Sequence, residues 1–109
     1  MSYHKVSTPV RVGIVGTGWV ARERHIPAFK RDSRCTITTL FDPDYSRAEL
    51  TARKFRIPRF VNRLDDFLKE PVDVVSICAP PGAHASLIEA SIRAGKHVLV
   101  EKPMTLTSE

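Results

Sequence analysis

The stretch VRVGIVGTGWVA, residues 10–21, decides how the rest of the chain is read. Its first half is a short β-branched run, Val10 to Val15, bounded by glycine, which suits a strand buried on both faces. Its second half spaces Gly16, Gly18 and Ala21 as G-x-G-x-x-A. Gly16 permits a tight turn, Gly18 removes the side chain that would block an approaching anion, and Ala21 lets a following helix pack closely on the strand. Amide donors at the start of that helix, aided by its dipole, then face the anion.

Working outward, a helix is expected over residues 19–30, kinked or divided by Pro27, which lacks an amide donor and clashes with the preceding turn. CTITTLF (residues 35–41) is again β-branched and reads as the second strand. Ser46 and Glu49 form a capping-box pattern, Ala48, Ala52 and Phe55 share one helical face, and Pro58 closes that segment. RFV before Asn62 reads as a short edge strand, and Asn62 as the cap of a brief helix carrying Leu64, Phe67 and Leu68, ended by Pro71. VDVVSICA (residues 72–79) supplies the next buried strand. Ala85, Ile88 and Ile92 trace a helical stripe that Gly95 can terminate in the left-handed conformation, and HVLV, begun by His97 and continued by residues 98–100, gives the last strand. Strands alternating with helices at this spacing indicate right-handed crossovers and a parallel sheet covered on both faces. The expected class is α/β, a Rossmann-type doubly wound sheet, with residues 1–9 a polar leader and 10–109 a dinucleotide-binding domain.

Composition bounds the rest. At 109 residues and 42% hydrophobic content, one domain is the working count. The leader has no signal-peptide core and no segment reaches membrane-spanning length, so no membrane association is expected and the cytoplasm is the default location. Cys35 and Cys78 read as buried, reduced thiols. The net charge of +5 is distributed over several helices and turns rather than gathered in a tract, and no nucleic-acid partner is expected. The four histidines and two cysteines lack metal-ligand spacing, so no metal is expected.

The glycine loop is answered by Asp42 at the end of the second strand, close to the expected spacing of about 20 residues. There a carboxylate would accept the adenosine ribose hydroxyls and repel the extra phosphate of NADP, which favours NAD. Asp42 also reads as a plain turn residue before Pro43, and Arg47 and Arg53 stand close enough in sequence to hold a 2′-phosphate. Ligands of parallel sheets sit beyond the carboxyl ends of the strands, which gathers GTGWVA, APPGAH and EKP at one site. Lys102 there reads either as a functional lysine, exchanging a proton during hydride transfer, or as a solvated strand end.

The segments VGIVGTGWVA, FDPDYSRA and VDVVSICAPPGAHASLIEASIRAGKHVLVEKPMTLT together resemble the N-terminal domain of the Gfo/Idh/MocA family, the glucose-fructose oxidoreductase and inositol dehydrogenase group, over residues 10–107. The resemblance implies that Gly16, Thr17, Gly18, Trp19 and Val20 form the pyrophosphate loop and that Asp42 is the ribose-binding acid. It also implies that Ala79, Pro80, Pro81 and His84 lie along the nicotinamide half. Glu101 and Lys102 match the family's Glu-Lys-Pro, whose lysine contacts cofactor and substrate and serves proton transfer or substrate orientation. The implied function is the cofactor-binding part of an NAD(P)-dependent oxidoreductase acting on a sugar, cyclitol or related polyol, expected to be a homo-oligomer. His84 reads equally as a cap. Thr107, Ser108 and Glu109 look like the start of a helix, and the family's C-terminal α/β domain is absent from the sequence, so a fragment with little activity of its own is expected. The other reading is a stand-alone NAD-binding sensory or regulatory module without catalysis.

Overall fold

The computed structural model describes residues 8–100, and strand alternates with helix along them. Five parallel strands, β1 (Val10–Val15), β2 (Cys35–Phe41), β3 (Arg59–Val61), β4 (Val74–Ile77) and β5 (His97–Val100), lie in the order β3-β2-β1-β4-β5. The chain runs outward from β1 to β3, then returns to the other side of β1 for β4 and β5. The strand order therefore reverses between β1 and β4, and the crevice beyond their carboxyl ends is where this class of sheet takes a ligand.

Both faces of the sheet are covered. A π-helical turn, Ala21–His25, continues into α1 (Ile26–Lys30), and together with α2 (Tyr45–Phe55) it buries Ala21, Ile26 and Ala52 against Val12, Ile14, Ile37 and Leu40. On the other face α3 (Leu64–Leu68) and α4 (His84–Arg93) bring Phe67 and Leu87 against Val15, Phe41, Val75 and Ile77. Each such aliphatic or aromatic side chain contributes roughly 1.5–3 kcal/mol by leaving water. The expected division of the first helix at Pro27 is present: the Ile26 amide donates to Ala21 O across the wider π turn, and the α-helix resumes with proline in its first turn.

Several local expectations are corrected. Asp44, not Ser46, caps α2: its backbone is extended and its carboxylate accepts the Arg47 amide at 3.1 Å. Asp42 holds Asp44 in place by accepting its amide at 2.9 Å, so the helix begins earlier than the Ser46 pattern suggests, and Glu49 pairs with Arg53 instead. Arg56, at φ 57°, closes α2 in the left-handed region before Pro58 is reached. Arg63 rather than Asn62 occupies the cap position of α3, without a side-chain cap; Asp65 and Asp66 set negative charge against the helix start. On α4 the buried line is Leu87 and Ser91, while Ala85 and Ile92 are exposed. Ser91 tolerates burial because its hydroxyl donates to Leu87 O at 2.8 Å. Gly95 ends α4 with φ 82°, as its position suggests. Cys35 and Cys78 are half-buried rather than buried, and they form no disulfide.

The cations are dispersed into surface pairs such as Arg11–Asp73, Arg34–Asp32 and Arg93–Glu89, each worth about 0–1 kcal/mol. Among the described residues no helix is long and apolar enough to cross a membrane.

Gly13, in the middle of β1, shows how tightly the second face is filled. A Cβ there would stand 2.6 Å from Cζ of Phe67, a ring with no exposure that also packs on Phe41 at 5.9 Å between centroids. Gly13→Ala is therefore expected to destabilise the fold by about 1–3 kcal/mol through overpacking. Chemical denaturation reads this as a lowered midpoint; an unchanged midpoint would contradict the packing described.

Candidate cofactor site

The loop after β1 is pinned from both sides. Gly16 N donates to Phe41 O at the end of β2 (2.8 Å), and Cys78 N donates to Val15 O from the end of β4 (2.8 Å). Gly16 has φ +93°, and a Cβ there would lie 3.1 Å from Ala79 N and 3.2 Å from the Cys78 carbonyl carbon. Backbone meets backbone at the switch point, so the first glycine is required by the fold itself. Gly18 is different: nothing lies within 4 Å of the Cβ position. The protein supplies no packing reason for glycine there. The open space is a cradle that a side chain would fill, and it fits a pyrophosphate group resting on the loop.

Thr17 faces inward, fully buried, and joins the loop to Asp42. Its amide and its hydroxyl both donate to Asp42 Oδ2, each at 2.8 Å. The same carboxylate accepts Asp44 N at Oδ1, Arg47 Nε at Oδ2 and Arg47 Nη2 at Oδ1, the last two at 3.1 Å. Burial opposes the charge on Asp42, which is 1% exposed, but donation from Asp44, Thr17 and Arg47 outweighs it and holds the carboxyl below its ordinary value of 3.8. This stabilisation is complete above that ordinary value and is lost as pH falls through the lower folded value. Asp42→Asn is accordingly expected to make acid unfolding, followed by circular dichroism, less steeply dependent on pH below 3.8. An unaltered acid profile would show that the carboxylate does not brace the loop.

Trp19 and Val20 stand at the mouth of the crevice, 59% and 40% exposed, with the Arg24 guanidinium 5.8 Å from the Trp19 ring centre. Ala79, Pro80 and Pro81 follow β4 and enter a 3-10 turn, Pro81–Ala83, that leads into α4. His84 Nε2 lies 2.6 Å from Ala79 O; a carbonyl only accepts, so Nε2 carries the proton and the ring ties the turn to the end of β4. Val100 ends β5 opposite Ile77, on the same edge as the glycine loop. Glu101 and Lys102 lie outside the described residues. Within those residues, no group of three or more His, Cys, Asp or Glu could hold a metal ion.

The structure thus gathers the loop, Asp42 and the 79–84 turn at one edge of the sheet. The clamp of Thr17 and Arg47 on Asp42 is absent from the sequence reading. Its signal is the Asp42-Pro43-Asp44 cap, which starts α2 early enough for Arg47 to reach back to the end of β2.

Residues 10–109 match the family described as an oxidoreductase family with an NAD-binding Rossmann fold, GFO_IDH_MocA. The chain belongs to this family. Among its GFO_IDH_MocA relatives, galactose 1-dehydrogenase of Pseudomonas fluorescens is 32% identical over 103 residues, covering 91% of this chain and 31% of that protein. The scyllo-inositol 2-dehydrogenase (NADP(+)) IolW of Bacillus subtilis (strain 168) is 35% identical over 106 residues, covering 96% and 28%. The crystal structure of KijD10, a 3-ketoreductase from Actinomadura kijaniata in complex with NADP and TDP-benzene, superposes with a TM-score of 0.83 at 33% identity, covering 90% and 30%. The chain thus spans about 30% of the length of the KijD10 chain it matches.

Proposed function

We propose that this domain seats a nicotinamide dinucleotide across the β1/β4 switch point, as the cofactor half of an oxidoreductase acting on a carbinol or carbonyl of a sugar, cyclitol or related polyol. The observation that carries the reading is the contrast between the two loop glycines: Gly16 is wedged against Ala79, while Gly18, at the switch point beyond β1, leaves open space in which a pyrophosphate group fits. The dinucleotide, when bound, accepts or supplies the hydride. The chain's own residues hold it. Amides of Gly18, Trp19 and Val20 face the pyrophosphate, Thr17 and Asp42 fix the loop, and the turn carrying Ala79, Pro80, Pro81 and His84 borders the nicotinamide half. Glu101 and Lys102 take the roles that the family's Glu-Lys-Pro implies: the lysine accepts the hydroxyl proton as the carbinol is oxidised, or returns it in the reverse direction, and the glutamate holds the ammonium or a ribose hydroxyl. Substrate choice belongs to the part of the relatives' length that this chain does not span.

The relatives named above include proteins acting on galactose and scyllo-inositol, which supports the carbinol class. The test is a panel of sugars and polyols assayed by dinucleotide reduction with the polypeptide as its gene encodes it. Turnover of at least one is expected; cofactor binding with no turnover on any would favour a sensory module.

A further inference from the structure

The carboxylate expected to read the ribose is fully engaged. Asp42 offers about four acceptor positions, and five donors already reach it: Thr17 N and Oγ1, Asp44 N, and Arg47 Nε and Nη2. Its charge is neutralised by Arg47 and withdrawn from solvent, so it presents neither a free acceptor nor a bare negative charge to the adenosine end of the crevice.

Arg47 is what that end presents instead. Its side chain is 49% exposed. Two of its five N–H donors are given to Asp42, leaving three on the outer edge of a guanidinium that cannot swing freely. It stands at the carboxyl end of β2, where a dinucleotide on the loop would place its adenosine ribose. Arg53, the other candidate cation, pairs with Glu49 further along α2. Asp44 is the local counterweight, a second carboxylate occupied as the helix cap.

We infer that this chain accepts NADP as well as NAD, and that Arg47, held by Asp42, is the specificity-determining group that admits the 2′-phosphate. The inference rests on the reading that the crevice holds a dinucleotide. Asp42 is then a positioning residue for both the loop and Arg47, and the charge balance around it predicts tolerance of both cofactors rather than exclusion of either.

The experiment is calorimetric titration of the gene-encoded polypeptide and its Arg47→Ala variant with NAD and with NADP. The unaltered protein should bind the two with Kd values within about tenfold of each other. Arg47→Ala should raise the Kd for NADP by about tenfold or more, the loss of a charge-assisted hydrogen bond, and leave that for NAD unchanged or tightened as Asp42 is released to the ribose hydroxyls. Arg47→Lys, which keeps the charge and loses the fork, should fall between, and serves if the alanine variant does not fold. An Arg47 variant that weakens both cofactors equally, or an unaltered protein that binds NAD and not NADP, overturns this inference alone. Binding of neither cofactor overturns the reading beneath it.

Discussion

Lys102→Ala in the gene-encoded polypeptide is expected to lower kcat by about 10²–10⁴-fold, the range associated with losing a positioned general acid–base group. Cofactor affinity is expected to stay within about threefold, because the seat proposed for the dinucleotide is chiefly the loop and the 79–84 turn. The chemistry requires a group that is a base while the carbinol is oxidised and an acid in reverse, the role that the family's Glu-Lys-Pro implies for Lys102. The split between kcat and cofactor Kd is the measurement that matters. If Kd rises as much as kcat falls, Lys102 is a binding residue and another group moves the proton.

The second large effect separates the loop's two glycines. Gly18→Val is expected to leave the thermal midpoint nearly unchanged, since nothing lies within 4 Å of the new Cβ. It should nonetheless weaken dinucleotide binding by about a hundredfold or more, because the side chain occupies the cradle and the amides behind it lose their charged partner. Gly16→Val should do the reverse in order of cause. At φ +93° with backbone atoms 3.1 Å away, a side chain strains the turn and pushes β1 from β4, at a cost of about 1–3 kcal/mol for the backbone conformation alone. Its loss of binding then follows from loss of structure. Two variants with equal thermal midpoints, or a Gly18→Val protein that binds as before, would remove the distinction on which the site is built.

The central strands β1, β2 and β4 are legible from the sequence because each is a compact apolar or β-branched run between turn residues, a signal that burial on both faces produces directly. Element order and parallel pairing follow from that alternation, and the glycine loop marks the switch point. What escaped the sequence lies in side chains whose partners are distant or ambiguous. Asp44 and Ser46 are equally good caps on paper; the amide-to-Asp42 bond that selects Asp44 exists only once β2 and α2 are joined. Ala85 and Ile92 match the stripe on α4, yet the helix turns Leu87 and Ser91 inward, since a serine bonded to its own preceding turn buries at little cost. Asp42 was recognisable by position, whereas its saturation by Thr17 and Arg47 depends on a threonine that could equally have faced solvent.

The most direct test of the central claim is calorimetric titration of the gene-encoded polypeptide with NAD and with NADP. Saturable binding of one dinucleotide per chain, weakened by Gly18→Val while the fold persists, is the predicted result. No saturable binding of either cofactor by a folded protein would contradict it.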